Sequence, residues 1–152
     1  MRVLVWITEG GWEACVDAAR RLDATDVTLI CAASEEVVEA ERGALAGLLG
    51  RRHPPHLEER LERLSTEAAE DLLKAAAERL GRESRRVLAR GRVEHAVTDA
   101  AASADLLVAA RSTRHMGPKS IRHPERFVVD HAPCALLLVW PGEPDRAPPR
   151  PH

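Results

Sequence analysis

The chain has 152 residues, of which 45% are hydrophobic and 30% are charged, and its formal net charge is −2. This composition is typical of a globular domain, and it excludes the global basic field that attracts nucleic acid or an anionic membrane surface. Aromatic residues amount to only 3%, which leaves few side chains on which single-stranded bases could stack. No apolar run approaches the roughly 20 residues of a membrane-spanning helix. We therefore expect neither a nucleic-acid partner nor a membrane partner.

The N-terminal segment and the cysteines favour a cytoplasmic protein. The segment MRVLVWITEG lacks the long apolar stretch and the cleavage site of a secretory signal, and it indicates a strand that begins at residue 2. Cys15, Cys31 and Cys134 are odd in number and form no C-x-x-C pair, which suits a reducing compartment rather than a disulfide framework. We expect all three to be buried, inert thiols.

Short apolar runs alternate along the chain with segments of helical periodicity. The apolar runs predict five strands, at residues 2–8, 27–33, 85–90, 105–110 and 134–140. The periodic segments predict four helices, at residues 12–22, 57–80, 93–101 and 124–132. In the long second helix, the stripe of leucines and alanines predicts a core face. In the last helix, Pro124 and Glu125 suit the first two helical positions.

Two segments do not fit the alternation. Residues 43–56 contain three glycines and a Pro-Pro pair, which predicts a loop, with a helical turn over Leu45–Leu49 as an option. Residues 142–152 are rich in proline and poor in apolar side chains, which predicts a disordered tail. The remaining residues, 1–141, are expected to form one domain.

The order of elements predicts an α/β fold with one open five-stranded parallel sheet and helices on both faces, in a flavodoxin-like or Rossmann-like arrangement. In such a sheet, ligands bind at the carboxyl ends of the strands where the strand order reverses, here between the first and fourth strands. The loop RSTRHMGPKSIRH follows the fourth strand and leads to a helix N-terminus. Its cations Arg111, Arg114, Lys119 and Arg122 could bind an anion with their side chains, helped by nearby hydroxyl groups. The alternative is a solvated basic loop.

Several familiar motifs are missing or broken. No G-x-G-x-x-G follows the first strand, where the chain runs ITEGGWEA. A proline separates Gly117 from Lys119, so a P-loop built on Gly-Lys-Ser amides does not form. No G-x-S-x-G is present. No cysteine lies near His53 and His56, which favours a solvated loop over a metal site.

The segment DLLVAARSTRHMGPKSIRHPERFVVDHAPCALLLVWP resembles the closing third of the universal stress protein (UspA-type) family. Its most specific part is the turn His131–Cys134, and the order of the other elements extends the resemblance over residues 1–141. The resemblance implies the strand order 3-2-1-4-5 and a homodimer formed through the last strand, Cys134 to Trp140. It also implies a cytoplasmic stress-response protein, often without enzymatic turnover.

The ATP-binding members of that family carry an Asp at the end of the first strand and a G-x-x-G-x9-G-[ST] loop after the fourth. Here Thr8 stands where the Asp belongs, and Arg122-His123 stands where Gly-[ST] is expected, with Ser120 able to supply the hydroxyl after a shift of register. The early glycines fall within Ala109–Thr113, where no glycine occurs. The side chains present deny the backbone the close phosphate approach that glycine permits, so we expect a degenerate nucleotide-binding loop.

Three functions remain open at this point. The first is a homodimeric, non-enzymatic stress-response protein that acts by interaction with a protein partner or by ligand sensing and requires no cofactor. The second is an ATP- or AMP-binding switch or slow ATPase. The third is a small α/β enzyme with His115 or His123 as acid/base, although no complete catalytic set is evident. The candidate residues for a nucleotide or anion are Thr8, Gly10, Ala32, Arg111, Ser112, Thr113, Lys119, Ser120, Arg122 and His123.

Overall fold

The computed structural model describes residues 1–33, 55–112 and 118–142, together with Gly47. The elements in chain order are β1 (Arg2–Trp6), α1 (Trp12–Arg20), β2 (Asp26–Ala32), α2 (Pro55–Leu80), β3 (Arg85–Ala89), α3 (Val93–Ala101), β4 (Leu106–Ala110), a 3-10 turn (Pro118–Ser120), α4 (His123–His131) and β5 (Ala135–Val139). Most of the segment 43–56 lies outside the described residues, although Gly47 is helical and residues 55 and 56 belong to α2. The tail after Gly142 also lies outside them.

The five strands form one parallel sheet in the order β3-β2-β1-β4-β5, which confirms the predicted fold class and strand order. β1 lies at the centre, where Trp6 pairs with Ile30 of β2 and Val5 pairs with Val108 of β4. The chain winds from β1 to β2 and β3 on one side, then returns past β1 to β4 and β5. The carboxyl ends of β1 and β4 therefore border the crevice where such sheets bind ligands.

Both faces of the sheet are covered, because residues alternate between the two faces along each strand. Val3, Val5 and Ile7 belong to a buried cluster that includes residues of α1 and α2. Leu4 and Trp6 belong to a second cluster, which includes residues of α3 and α4. The apolar runs of the strands thus reflect burial on both faces.

Helix α2 contributes to the core through its second half only. Its buried residues are Ala69, Leu73, Ala76 and Leu80, and Arg79 of this half donates to Asp17 of α1 at 2.9 and 2.8 Å. In the first half, Leu64 is 58% exposed. The predicted stripe is therefore wrong as a core face at Leu64 and at Ala68, which are both exposed. The buried Ala69, Leu73 and Ala76 each lie one residue after a position of that stripe, and Leu80 is a stripe residue that is buried. A helix of 26 residues is about 39 Å long, whereas the seven-residue strand β2 spans only about 23 Å.

Helix α4 begins one residue earlier than predicted. Its N-cap is Arg122 and its first residue is His123, so Pro124 and Glu125 occupy the second and third helical positions rather than the first two. Both positions still suit these residues, because the backbone N–H groups of the first turn lack partners within the helix.

Ion pairing at the amino ends of the strands fixes β1 beside β4. The Arg2 backbone N–H donates to Asp105 at 2.7 Å, and its guanidinium forms a salt bridge with the same carboxylate at 3.0 Å. These hydrogen bonds lower the pKa of Asp105 to about 2.

In the described part of the chain, no helix is long and apolar enough to cross a membrane.

Candidate functional site

The candidate site is bordered by two segments at the carboxyl edge of the sheet: the turn after β1 and the loop after β4. In the first, Ile7 still donates to Ile30 of β2 at 2.8 Å, and Thr8 then accepts hydrogen bonds from the N–H groups of Gly11 and Trp12 at 3.3 and 3.1 Å. Gly10 has a φ of +82°, a conformation that glycine adopts at little cost. The turn thus leads directly into α1, and the half-buried Thr8 lies between β1 and that helix.

The closest approach between the two segments is at Gly11, the N-cap residue of α1. A Cβ atom at this position would lie 2.6 Å from the Cβ of Ala110 and 3.4 Å from Oγ1 of Thr8. Ala110 is the last residue of β4 and lies within the stretch where the resemblance places the first loop glycine. Its methyl group therefore occupies space directly against the backbone of Gly11.

Arg111 is the first residue of the loop after β4, and three contacts hold it. Its backbone N–H donates to the Val139 carbonyl at 3.0 Å, which continues the β4–β5 pairing. Its guanidinium donates to the Ser120 hydroxyl at 2.7 Å. The guanidinium carbon also lies 4.8 Å from the centroid of the Trp140 ring, a cation–π geometry.

Ser112 joins the loop to α4. Its N–H donates to the Ser120 carbonyl at 2.9 Å, and its hydroxyl accepts from the backbone N–H of Arg122 at 2.9 Å. Ser120 is only 1% exposed, so the hydroxyl that accepts from Arg111 is buried. Arg111, Ser112, Ser120 and Arg122 therefore form one hydrogen-bonded cluster, which we call the Arg111 cluster.

The other predicted site residues that the structure describes lie at the same edge, without a hydrogen bond to the Arg111 cluster among the described contacts. Lys119 and His123 are exposed beside the cluster, and the side chain of Arg122 is exposed as well, although its backbone N–H belongs to the cluster. Ala32 ends β2, one strand beyond β1. Thr113, Arg114 and His115 lie outside the described residues. The structure thus brings Arg111 and Ser112, at the start of the loop after β4, together with Ser120 and Arg122 at its end.

Two residues that the structure places here were not among the predicted site residues. The first is Gly11, because the sequence pattern favoured Gly10 of the pair. The second is Trp140, which follows β5 and contacts Arg111. A signal for Trp140 was present, since a large aromatic residue at the end of an otherwise aliphatic strand has a polar N–H that rarely stays without a role.

The chemistry available at this edge is anion binding by side chains. Exposed Lys119 and Arg122 provide positive charge, and the half-buried Arg111 presents a planar fork of N–H donors.

Within the described ranges, no group of three His, Cys, Asp or Glu side chains is placed to hold a metal ion. Burial raises the pKa of Cys15 to about 12 and that of Cys31 to about 11, whereas Cys134 is only half-buried rather than buried as predicted.

No family model matches the sequence, and no curated protein matches it. Solved structures match its fold over nearly the whole chain. The hypothetical protein PH0823 has a TM-score of 0.61 at 13% identity, with 91% of this chain and 95% of that chain covered. A universal stress protein in complex with cAMP has a TM-score of 0.53 at 18% identity, with 93% and 98% covered. A universal stress protein family protein from Arabidopsis thaliana with AMP bound has a TM-score of 0.53 at 14% identity, with 92% and 91% covered.

The chain is thus an α/β protein with a doubly wound parallel sheet. More specifically, it has the fold of the universal stress proteins, which confirms the resemblance seen in the sequence at the level of the fold.

Proposed function

We propose that this chain is a universal stress protein-like, cytoplasmic stress-response protein that acts as a homodimer, by interaction or ligand sensing rather than by catalysis. The observation that carries the proposal is the Arg111 cluster. Its side chains bond to one another at the two described ends of the loop after β4, which supports a loop unlike the glycine backbone expected of an ATP-binding member.

The ligand that suits this edge is a small anion bound by side chains. The methyl group of Ala110 lies against Gly11, and the hydroxyls of Ser112 and Ser120 already take part in internal hydrogen bonds. Among the described residues, the donors that support such binding are the guanidinium N–H groups of Arg111 that do not bond Ser120, and the exposed Lys119 and Arg122. Calorimetry with AMP, ATP and inorganic phosphate tests this, and Arg111→Ala with Lys119→Ala serves as the binding-deficient control. Tight binding of AMP that the control leaves unchanged would contradict a side-chain site.

The outer edge of β5 supports the homodimer. Among the described strands, β5 pairs with β4 only, so the backbone groups on its other side are free to pair. Its residues are aliphatic, and Leu137 is 36% exposed. An exposed apolar edge strand invites pairing with a second copy, and two-fold symmetry makes that pairing self-limiting.

Sedimentation velocity of the native chain and a Leu137→Lys variant tests the dimer. We expect the native chain to be dimeric at micromolar concentration and the variant to be monomeric, because a charge on the edge strand blocks pairing. Leu64→Lys is the matched control, since it adds the same charge at an exposed leucine on α2. A native chain that is monomeric, or equal loss of the dimer in both variants, would exclude pairing through β5.

The alternative function is an AMP- or ATP-binding switch. It is favoured by the two structural neighbours whose descriptions name bound cAMP and AMP. In this case the nucleotide would lie over Thr8, Gly10 and Ala32, with its phosphates at the loop after β4. Micromolar AMP affinity in calorimetry, lost on Thr8→Arg, would establish this alternative, whereas the absence of heat at millimolar nucleotide would exclude it.

A further inference from the structure

Arg111 links the candidate site to the outer strand of the sheet. Its side chain donates to Ser120 inside the loop, while its guanidinium lies over the ring of Trp140. Trp140 directly follows Val139, the last residue of β5, whose carbonyl accepts the backbone N–H of Arg111. The end of β5 is thus anchored to β4 by one main-chain bond and one cation–π contact of the same arginine.

An anion bound at Arg111 competes with the cation–π contact between Arg111 and Trp140. The face of an aromatic ring carries partial negative charge, so it attracts a guanidinium and repels an anion. An anion that pairs with the guanidinium neutralises the charge that holds Trp140. One nitrogen of the guanidinium donates to the buried hydroxyl of Ser120, so an anion pairs with the remaining N–H donors.

We propose that an anion bound at Arg111 weakens dimerisation through β5, with Trp140 as the residue that transmits the effect. This inference rests on the proposed homodimer. An edge strand pairs best when it is already held in its extended conformation, since binding then costs less ordering. Release of Trp140 loosens the end of β5, so more ordering is needed before a second copy can pair.

The size of the effect follows from symmetry. A two-fold dimer contains the Arg111–Trp140 contact twice, and the loss of one exposed cation–π contact corresponds to about a threefold change in an equilibrium constant. Saturating anion is therefore expected to raise the dimer dissociation constant by about tenfold, which corresponds to ~1.4 kcal/mol. By linkage, the monomer must bind the anion more tightly than the dimer does, with the same total coupling.

Sedimentation equilibrium of the full chain, in inorganic phosphate or in sodium chloride of equal ionic strength, tests the proposal. We expect phosphate to weaken the native dimer by about tenfold. In Trp140→Leu the dimer should already be weaker, and phosphate should change it less than twofold. Arg86→Ala is the control, because Arg86 is exposed on β3, at the opposite edge of the sheet, and its response to phosphate should equal that of the native chain. Trp140→Phe, with a smaller ring, should show an intermediate response.

The possible failures are distinguishable. Phosphate binding is followed separately by calorimetry on the same samples. If phosphate binds and the native dimer constant stays unchanged or falls, the coupling is wrong while the dimer stands. If Trp140→Leu responds to phosphate as the native chain does, Trp140 is not the transmitting residue. A chain that is monomeric without phosphate refutes the homodimer and this inference together, and absence of phosphate binding refutes the anion site.

Discussion

Replacement of Gly11 by alanine tests how closely the turn after β1 approaches β4. The new methyl carbon would lie 2.6 Å from the Cβ of Ala110, whereas nonbonded carbons prefer about 3.5–4.0 Å. Relief of the overlap requires a shift of about 1 Å in the end of β4 or in the first turn of α1. A left-handed backbone is not the obstacle, because Gly11 has a φ of −134°.

We expect Gly11→Ala to lower the free energy of unfolding by about 1–3 kcal/mol, the usual cost of an extra methyl group in a packed site. The reduced freedom of the unfolded chain offsets only about 0.4–1 kcal/mol of this cost. Urea unfolding followed by far-UV circular dichroism measures the difference. The denaturant dependence should stay the same, because the surface exposed on unfolding changes little.

The double variant Gly11→Ala with Ala110→Gly separates this clash from other causes. Ala110→Gly alone should destabilise by about 0.5–1 kcal/mol through the freedom of glycine. In the double variant the clashing methyl group is absent, so the loss should be smaller than the sum of the two single losses by at least about 1 kcal/mol. Gly10→Ala is the matched control, because nothing lies within 4 Å of its Cβ while its φ is +82°, and its loss should be independent of Ala110. Additive losses for Gly11 and Ala110, or a neutral Gly11→Ala, would refute the close approach.

Three further predictions concern other parts of the molecule. Hydrogen bonds from Arg2 lower the pKa of Asp105 from 3.8 to about 2, so the ionised carboxylate stabilises the fold fully above pH 3.8 and less as the pH falls toward 2. Asp105→Asn should remove this part of the pH dependence of the free energy of unfolding in acid. An unchanged acid unfolding profile would contradict the assignment. Burial raises the pKa of Cys15 to about 12, so a thiol reagent should modify the half-buried Cys134 first and Cys15 only on unfolding; equal rates in mass spectrometry would contradict this order. Within the described residues, the buried Nε1 of Trp6 has no hydrogen-bond partner. Trp6→Phe should therefore lower the free energy of unfolding by less than about 2 kcal/mol, because removal of an unsatisfied donor offsets the lost ring volume. A decrease of about 4 kcal/mol or more in urea unfolding would show that the N–H is bonded.

The sequence pattern predicted the sheet well because burial on both faces leaves a local trace. Each strand shows as an apolar run, and each run ends at a turn signal such as Gly10 or at a polar residue such as Arg111. Helix α2 was predicted from its leucine spacing, yet spacing alone could not show that the fold buries Ala69, Leu73 and Ala76, which each lie one residue after a position of the predicted stripe. Periodicity describes one face of a helix, whereas the length of the sheet decides how much of that face is covered.

The candidate site was predicted only in part, because the sequence shows neighbouring residues and not contacts between distant ones. The cations of the loop were visible in the sequence, but the partners of Arg111 were not, since Ser120 and Trp140 approach it only after the chain has formed α4 and β5. Gly11 has no room for a Cβ atom because Ala110 packs against it, whereas Gly10 has that room. The sequence could not show this difference, since Ala110 is distant from both glycines along the chain.

The sequence by itself determined that this chain forms a doubly wound parallel sheet with a cationic loop at its ligand-binding edge, because hydrophobic periodicity and charge are properties of neighbouring residues. Only the tertiary structure decided that Ala110 packs against Gly11 and that Arg111 lies between Ser120 and Trp140. Such contacts join residues that are distant along the chain, so they exist only once packing has brought the ends of β1, β4 and β5 together.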